Sequence, residues 1–347
     1  MLKKEVQYLT NEGFKMNRYD RQIRVDQIGL AGQEKIKQAV ILIVGCGALG
    51  TYAAEQLIRT GVQHLILIDP DIVEETNLQR QTLFTTKDAQ AQKAKVTAAK
   101  EKLLQVNPKA RIDIYQERFD SALFHQHKKI HLILDCTDNY LARRLINDYC
   151  LAFNLPFIFA SVASTSGQVM PLFPSEGPCL SCVFPQLHQL EKKGCDTIGV
   201  ITPIVPLISS IQISLCLQYL VGDLKNFHTL HMVESWPLKV SSFQVNKQTD
   251  CLMCNQKQSH TSASELTETC GEVFQTTFPF LSLEEIEGLC IDQKLTYQKN
   301  PIAIKMQLGS FEITFFKNGH TLFYGFTETE AKETFGKIKK YLAQLHP

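Results

Sequence analysis

The feature that most constrains the fold is an apolar run that ends in a glycine-rich turn. Residues 39–45 read AVILIVG, which is typical of a strand buried on both faces of a sheet. The turn continues as GCGALG, and the helical pattern after it stops at Gly61. Glycines between a strand and a helix let the backbone approach a phosphate closely, and the helix N-terminus supplies oriented N–H groups. Gly45, Gly47 and Gly50 are therefore candidate nucleotide-binding residues.

Strand and helix patterns alternate through the first two thirds of the chain. Further strands are predicted at residues 64–69, 111–115, 131–135 and 156–160, and helices at 89–105 and 140–153. Strands that alternate with helices indicate an open parallel sheet with right-handed crossovers. From residue 227 to 245 the pattern changes to strand alternation, which predicts an antiparallel part. We expect an α/β fold with a Rossmann-like, mostly parallel sheet.

The chain has 347 residues, enough for two or three domains. Residues 255–269 are rich in Ser, Thr, Gln and Glu, which is typical of a linker. The predicted elements beyond it are a helix at 283–289, a strand at 302–308, a hairpin of 311–316 and 321–326 with an Asn318-Gly319 type I′ turn, and a helix at 327–345. We expect an N-terminal extension at 1–17, a nucleotide-binding domain at 18–256, a linker at 257–269 and a small α+β domain at 270–347.

Charge and hydropathy exclude several classes of partner. Thirty-six Lys and Arg balance 35 Asp and Glu, so no charge excess favours nucleic acid or an anionic membrane. The most apolar stretch, residues 201–222, contains Pro203 and Pro206 together with glutamines and serines. That composition predicts a buried helix rather than a membrane span. The N-terminus has lysines without an apolar stretch behind them, so we expect no signal peptide and a cytoplasmic protein.

A second group of residues bears on which nucleotide binds. Asp69 ends the second predicted strand, where a carboxylate can accept hydrogen bonds from ribose hydroxyls. The cationic and amide candidates are Arg21 in RYDRQ, Asn77, Arg80 and Gln81 in NLQRQ, and Lys93 in the next helix. Carboxylate attack on the α-phosphorus of ATP needs several cations, because both reactants are anionic and pyrophosphate must leave. Each cation alone is better explained as a solvated surface charge, but the set favours ATP over a dinucleotide.

The motif Asp135-Cys-Thr-Asp-Asn139 follows another strand. Ligands of open parallel sheets bind outside the carboxyl ends of the strands, so Asp138 is a candidate ligand of Mg²⁺ and Asn139 a candidate nucleotide-binding residue. Arg143 lies one turn into the helix that follows. The alternative is that Asp138 only caps the N-terminus of that helix.

Eleven cysteines are an odd number, which argues against a closed disulfide framework. Two CxxC pairs stand among them, Cys179 with Cys182 and Cys251 with Cys254. Four thiolates suit a closed tetrahedral structural zinc site, and a redox CxxC is the lesser alternative. Cys195 lies in a polar loop before a helix, where a thiol can act as a nucleophile, although an inert loop thiol is the simpler interpretation.

These motifs together resemble the ThiF/MoeB family, the prokaryotic relatives of ubiquitin-activating enzymes. The resemblance rests on RYDRQ, GCGALG, DPDIVEETNLQRQ, DAQAQKAK, DCTDN, both CxxC pairs and GCDTIGV, and it covers residues 18–254. Ala48 stands where many members have glycine. The stretch after Cys254 is similar to a small C-terminal extension of Firmicute-type members.

The resemblance implies a reaction. The C-terminal glycine carboxylate of a small ubiquitin-like sulfur carrier of the ThiS or MoaD kind attacks ATP, and sulfur from a persulfide donor later displaces AMP in thiamine thiazole or molybdopterin synthesis. Asp69 would hold the ribose, Asn77, Arg80, Gln81 and Lys93 would surround the triphosphate, and Asp138 would bind Mg²⁺. Arg21 would reach the ATP of a partner subunit in a homodimer, and Cys195 would occupy the crossover-loop cysteine position. The alternatives are an NAD-dependent oxidoreductase and an inactive zinc-stapled nucleotide-binding scaffold.

Overall fold

The structure is a computed structural model. It describes residues 18–119, 129–174, 176–185, 199–251, 253–254, 266–269, 273–278, 282–301, 303–317 and 319–345. The predicted N-terminal extension, most of the predicted linker, and Asn318 of the predicted turn lie outside these ranges.

The larger of two sheets has eight strands. They are β1 (Val40–Val44), β2 (His64–Ile68), β3 (Arg111–Tyr115), β4 (Leu132–Asp135), β5 (Phe157–Ala163), β6 (Ser166–Leu172), β7 (Thr229–Ser235) and β8 (Leu238–Gln244). Their order is β3-β2-β1-β4-β5-β6-β7-β8. Strands β1 to β5 pair in parallel, and β5 to β8 pair antiparallel. The predicted mostly parallel sheet with an antiparallel part is confirmed.

Helices cover both faces of this sheet. In chain order they are α1 (Asp20–Ile23), α2 (Gly29–Gln38), α3 (Ala48–Thr60), α4 (Thr86–Gln90), α5 (Lys95–Val106), α6 (Tyr140–Phe153), α7 (Leu180–Val183) and α8 (Ile204–Val221). The prediction of a single helix over 89–105 is wrong at its start. The helix is interrupted after α4, where Gln92 has φ +46°, and α5 begins at Lys95. Lys93 lies in this break between the two helices, whereas Lys95 is the first residue of α5.

Alternate side chains of β1 and β2 enter different cores. Ile41, Ile43, Leu65 and Leu67 pack with the helices α3, α5 and α8. Leu42, Val44, Ile66 and Ile68 pack on the other face with α6. This two-sided burial explains why both strands are continuous apolar runs in the sequence.

The smaller sheet is antiparallel and follows residue 265. Its strands are β9 (Thr267–Thr269), β10 (Val273–Thr277), β11 (Tyr297–Lys299), β12 (Ala303–Leu308), β13 (Phe311–Phe316) and β14 (His320–Tyr324), in the order β11-β12-β13-β14-β10-β9. Helices α9 (Leu283–Asp292) and α10 (Glu328–Leu345) pack through a core that includes Ile286, Phe323 and Ile338. Because β9 pairs with β10, residues 267–269 belong to this unit, although the sequence predicts that they are part of the linker at 257–269.

The other face of the small sheet lies on the larger domain. Val273, Ala303, Phe316 and Leu322 share a hydrophobic cluster with residues of α6 such as Leu145, Ile146 and Tyr149. Helix α6 is therefore held between the two sheets.

One helix among the described residues, α8, is long and apolar enough to cross a membrane by length and composition alone. It packs against α3 and against strands β5 and β6. Such packing is typical of the central helix of an α/β core, which passes the same test of length and hydropathy.

Candidate nucleotide site and cysteine cluster

The turn between β1 and α3 is tight enough to require glycine at two positions. Gly45 has φ +92°, and a Cβ there would lie 2.6 Å from the carbonyl oxygen of Cys136. A Cβ on Gly50 would overlap the carbonyl oxygen of Gly45. Gly47 is the N-cap of α3 and offers no side chain to its amides, so the first turn faces outward with its N–H groups available to an anion.

Asp69 links the end of β2 to this turn. Its carboxylate is 5% exposed and accepts hydrogen bonds from the N–H of Cys46 at 2.7 Å and from the N–H of Asp71 at 2.9 Å. Burial raises the pKa of Asp69, while the ammonium of Lys95 opposes the rise. Asp69 thus fixes the glycine turn as well as facing the place where a ribose would lie in a Rossmann-like site.

Lys95 is the lysine that the structure brings to this site. It is 7% exposed, and its Nζ donates to Asp71 Oδ2 at 2.7 Å. Burial would lower the pKa of Lys95, but Asp69, Asp71 and Asp138 raise it above its ordinary value. A buried ammonium ringed by carboxylates at the end of a parallel sheet is suited to neutralising a polyphosphate.

Lys93 is the lysine named from the sequence, and the structure places it elsewhere. Its Nζ lies 2.6 Å from Glu101 Oε2 and 3.6 Å from Asp88 Oδ1, on the outer side of α5. The motif DAQAQKAK contains both lysines. Lys93 precedes α5 and Lys95 is its first residue, so the two side chains take different directions. The structure therefore brings Lys95, and not Lys93, close to Asp69 and Asp71.

The loop after β2 contributes Asn77, Arg80 and Gln81. Asn77 is buried and its Oδ1 accepts the N–H of Glu74 at 3.2 Å, which closes a short 3-10 turn. Arg80 Nη1 donates to the carbonyl of Thr76 at 2.9 Å. Gln81 is 4% exposed, and its Oε1 has no hydrogen-bond partner among the described residues. The amide nitrogen of Gln81 lies near Gly47, which places this side chain beside the glycine turn.

The DCTDN motif follows β4 as predicted. Asp138 is exposed, and the N-cap of α6 is Asn139, whose Oδ1 accepts the N–H of Ala142 at 2.7 Å. The alternative that Asp138 caps this helix is wrong. Asn139 has a capping role, while the exposed Asp138 is near enough to Lys95 for its carboxylate to contribute to the raised pKa of that lysine.

Arg21 lies far from the glycine turn of its own chain. The side chain of Gln22 donates to Gln33 at 2.7 Å and to the carbonyl of Thr60 at 2.8 Å, which docks α1 at the C-terminal end of α3. At 1.5 Å per residue, the 13 residues of α3 separate that end from the turn by roughly 20 Å. Arg21 is exposed there.

Cys195 lies outside the described residues. The segment that follows it is anchored beside the site: Thr202 Oγ1 donates to the carbonyl of Gln79 at 2.9 Å and contacts Gln79 Oε1 at 2.7 Å. The N–H of Ser164 also donates to the carbonyl of Gly199 at 2.7 Å. The end of the loop that contains Cys195 is thus fixed to the NLQRQ segment.

Both CxxC pairs meet in one cluster. The Sγ atoms of Cys179 and Cys251 are 3.6 Å apart, and those of Cys182 and Cys254 are 3.5 Å apart. All four Sγ atoms lie within 4.8 Å of one another, so the group could hold a metal ion. Tetrahedral zinc–thiolate bonds of about 2.3 Å set sulfur atoms about 3.8 Å apart, which this spacing matches. The cluster joins segments 72 residues apart in the chain, as the two CxxC predictions required.

Comparisons with known proteins agree with the fold and with the family resemblance of the sequence. Residues 19–254 match the ThiF family. The ThiS sulfur carrier adenylyltransferase of Escherichia coli is 36% identical over 239 residues, which cover 68% of this chain and 94% of that protein. The Bacillus subtilis protein of the same name is 28% identical over 319 residues, which cover 89% of this chain and 94% of that protein. The E. coli MccB crystal structure has the same fold, with a TM-score of 0.59 and 22% identity over 69% of this chain and 74% of that one.

The glycine turn, the acid after β2 and the buried lysine define a nucleotide-binding protein with a Rossmann-like sheet and a cysteine cluster. The chain belongs to the ThiF family. The sequence-based prediction of a ThiF/MoeB-type adenylyltransferase is confirmed, and the oxidoreductase alternative is wrong. The B. subtilis relative extends over the small C-terminal unit as well, which accords with the predicted Firmicute-type extension.

Proposed function

We propose that this protein transfers AMP from ATP to the C-terminal glycine of a small ubiquitin-like sulfur carrier of the ThiS kind. The observation that carries the proposal is Lys95, buried among Asp69, Asp71 and Asp138 beside the glycine turn. The names of the E. coli and B. subtilis relatives favour the thiamine pathway, and a MoaD-like carrier is the alternative.

In the proposed reaction a carboxylate oxygen of the carrier forms a bond to the α-phosphorus. The bond from that phosphorus to the bridging oxygen breaks, and pyrophosphate leaves with the electron pair. The N–H groups at the start of α3 would cradle the phosphates, and Lys95 and Arg80 would offset the charge that grows on the leaving group. Asp69 would accept from the ribose, and Gln81, whose amide nitrogen lies near Gly47, would border the phosphates.

Asp138 offers an exposed carboxylate of the kind that magnesium prefers. When bound, Mg²⁺ would supply positive charge to the phosphate oxygens. The role of Asp138 would be to hold the metal–nucleotide complex at the end of β4, on the side of the site where Lys95 lies. Asn77, Gln81 and Asn139 belong to the loops that shape this edge of the sheet.

Two further parts of the proposal concern assembly. Arg21 is exposed near the C-terminal end of α3, and that end lies roughly 20 Å from the glycine turn of the same chain. A homodimer in which Arg21 serves the partner's ATP would account for this position. The four-cysteine cluster would hold structural zinc, because four thiolates leave no open position for chemistry. We place the protein in the cytoplasm, where its thiols stay reduced.

Sulfur transfer would follow adenylation. The terminal sulfur of a persulfide donor would attack the acyl carbon of the adenylate and displace AMP, which gives an acyl disulfide. A second thiol would then attack the donor's sulfur, so that a disulfide forms and the thiocarboxylate is released on the carrier. Cys195 would serve this second step, since the end of its loop is tied to Gln79 beside the nucleotide site.

The test is exchange of labelled pyrophosphate into ATP, measured with a ThiS-like carrier, a MoaD-like carrier, and each carrier without its C-terminal glycine. We expect exchange with the intact ThiS-like carrier and none with either truncated carrier. Exchange with the MoaD-like carrier alone would assign the other pathway. Tight ATP binding without exchange for any carrier would identify an inactive scaffold.

The same assay tests the role of Cys195. Replacement of Cys195 by Ala should leave the exchange rate unchanged within about twofold, because adenylation precedes sulfur transfer. Thiocarboxylate formation, followed by mass spectrometry of the carrier, should be lost. Loss of exchange in this variant would contradict the order of the two steps.

A further inference from the structure

A buried ion pair lies beneath the DCTDN motif, and the adenylation chemistry does not use it directly. Asp135 is 0% exposed and Arg143 is 6% exposed, with Arg143 Nε 3.7 Å from Asp135 Oδ2. Burying two charges costs free energy that their attraction offsets only partly. A pair of this kind is therefore weak as a source of stability, and its contacts point to another use.

Those contacts converge on Thr137. The N–H and the Oγ1 of Thr137 donate to Asp135 Oδ1 at 3.0 and 2.7 Å. Arg143 Nη2 donates to the carbonyl oxygen of Thr137 at 2.8 Å. Both backbone polar groups of Thr137 are thus bound by charged side chains, which fixes the peptide plane that leads into Asp138.

The residue after Asp138 is also fixed. Asn139 caps α6 through its hydrogen bond from the N–H of Ala142 at 2.7 Å. Asp138 therefore lies between two anchored residues, with its own side chain exposed. A carboxylate held in this way meets a ligand without losing much backbone freedom on binding.

The strand that carries the motif has a separate anchor. Gln212 of α8 is 0% exposed, and its Nε2 donates to the carbonyl oxygens of Asp135 at 3.1 Å and Ile158 at 2.9 Å. The end of β4 is thereby fixed without Arg143. Loss of the Arg143 guanidinium would free the carbonyl of Thr137, which leads into Asp138, and leave the strand end in place.

Arg143 itself is held in one orientation. Its guanidinium carbon lies 5.5 Å from the ring centroid of Tyr140 and 5.1 Å from that of Phe159. Aromatic rings on two elements restrict the side chain, and the planar guanidinium suits such stacking better than an ammonium would.

We infer that Arg143 is a positioning residue, which holds the Thr137–Asp138 peptide so that the Asp138 carboxylate meets the metal–nucleotide substrate. The inference rests on the proposed use of ATP with a divalent cation. In this role the buried Arg143 affects metal-dependent ATP binding without touching the substrate. It acts through the backbone carbonyl of Thr137.

The experiment is calorimetric ATP binding by the full-length protein, with Mg²⁺ titrated and with EDTA, together with the electron paramagnetic resonance signal of Mn²⁺ bound with ATP. Arg143→Met keeps the length of the side chain and removes its donors. We expect the Mg²⁺ concentration for half-maximal ATP binding to rise at least about tenfold. The ATP affinity in EDTA should change by less than about twofold, and the Mn²⁺ signal should broaden.

Arg143→Met leaves the Asp135 carboxylate buried without its cation, which by itself can unfold the protein. The double variant Arg143→Met with Asp135→Asn removes that charge, while the amide oxygen of Asn can still accept from Thr137. It should fold and show the same shift in Mg²⁺ dependence. A folded double variant with the Mg²⁺ dependence of the unmodified protein would overturn the inference, because Arg143 would then only neutralise Asp135.

Arg144 provides a matched control on the same helix. It is comparably buried but faces the other way, with Nε 3.9 Å from Asp148 Oδ2 and Nη1 3.5 Å from Gln275 Oε1 of the small sheet. Arg144→Met should leave the Mg²⁺ dependence unchanged, and an equal shift in this variant would show a general effect of loosening α6. Absence of ATP binding by the unmodified protein would contradict the proposed function instead.

Discussion

The two sheets of this protein share one hydrophobic cluster around α6 but bury different kinds of polar group. At the carboxyl ends of the parallel strands the buried polar residues include charged ones, namely Asp69, Lys95, Asp135 and Arg143. In the described part of the small sheet and its helices they are Thr276, Asn300, Thr314, His320 and Thr321, with no Asp, Glu, Lys or Arg among them. Buried charge is costly, so it is concentrated where a ligand can use it.

The two named relatives differ in how much of this chain they cover. The E. coli relative matches 68% of this chain with 94% of its own length, whereas the B. subtilis relative matches 89% of this chain. The ThiF family match, at residues 19–254, ends before the small sheet, which packs on α6. We therefore expect adenylation to depend on the large sheet. The following experiments test that division.

The largest effect should come from Lys95. Lys95→Ala should lower the carrier-dependent exchange rate by about 10³-fold, because a buried cation beside the leaving pyrophosphate is lost. Lys93→Ala, two residues away and paired with Glu101, should change the rate by less than about threefold. Exchange assays on both variants measure the difference, and an equal loss in both would break the assignment to Lys95.

Lys95→Ala also tests the dimer when combined with Arg21→Ala. If Arg21 serves the partner's site, equal mixing of the two inactive variants forms heterodimers with one complete site. The recovered exchange should approach about a quarter of the unmodified rate after subunit exchange. No recovery would mean that Arg21 and Lys95 act in the same subunit.

A smaller effect should follow removal of metal from the cysteine cluster. Cys182→Ser, or treatment with a chelator, should lower the free energy of unfolding by about 3 kcal/mol, because a bound ion stabilises only the folded state. Thermal unfolding and zinc content measure the change. Cys290→Ala, in the core of the small unit, should cost about 1 kcal/mol and leave the zinc content unchanged. Unchanged stability after complete metal removal would contradict a structural role.

The smallest effect should arise at the contact between the two sheets. Leu322 is 0% exposed in the cluster shared with α6, so Leu322→Ala should lower the free energy of unfolding by about 2 kcal/mol. The exchange rate at 25 °C should stay within about twofold, because the ThiF family match at residues 19–254 ends before this unit. A tenfold loss of exchange in the folded variant would show that the small sheet sets the geometry of the nucleotide loops through α6.

Much of the candidate nucleotide site could be predicted from the sequence, because the motifs that form it are short and continuous. The glycine turn and Asp69 each stand next to an apolar strand, and the CxxC pairs are recognisable by spacing alone. Lys95 could not be distinguished from Lys93, since the direction of each side chain depends on the left-handed residue Gln92 and on where α5 starts.

Elements that depend on distant partners were harder to predict. Strand β6 was not predicted, because Gly167 and Pro171 interrupt its pattern, yet it pairs with β5 and β7. Strand β9 was assigned to a linker because its residues are Thr and Glu, and only pairing with β10 makes it a strand. Gln212 looked like one polar residue in an apolar helix, since its partners lie 54 and 77 residues earlier in the chain.

Gln212 has a consequence for the order of events during synthesis. The ends of β4 and β5 leave the ribosome before α8, and at 5–20 residues per second the 54 residues between Ile158 and Gln212 take roughly 3–10 s. Over that interval the carbonyls of Asp135 and Ile158 lack the amide that later bridges them. A nascent chain that stops short of α8 therefore has the glycine turn and Asp69 but lacks the amide that joins the ends of β4 and β5.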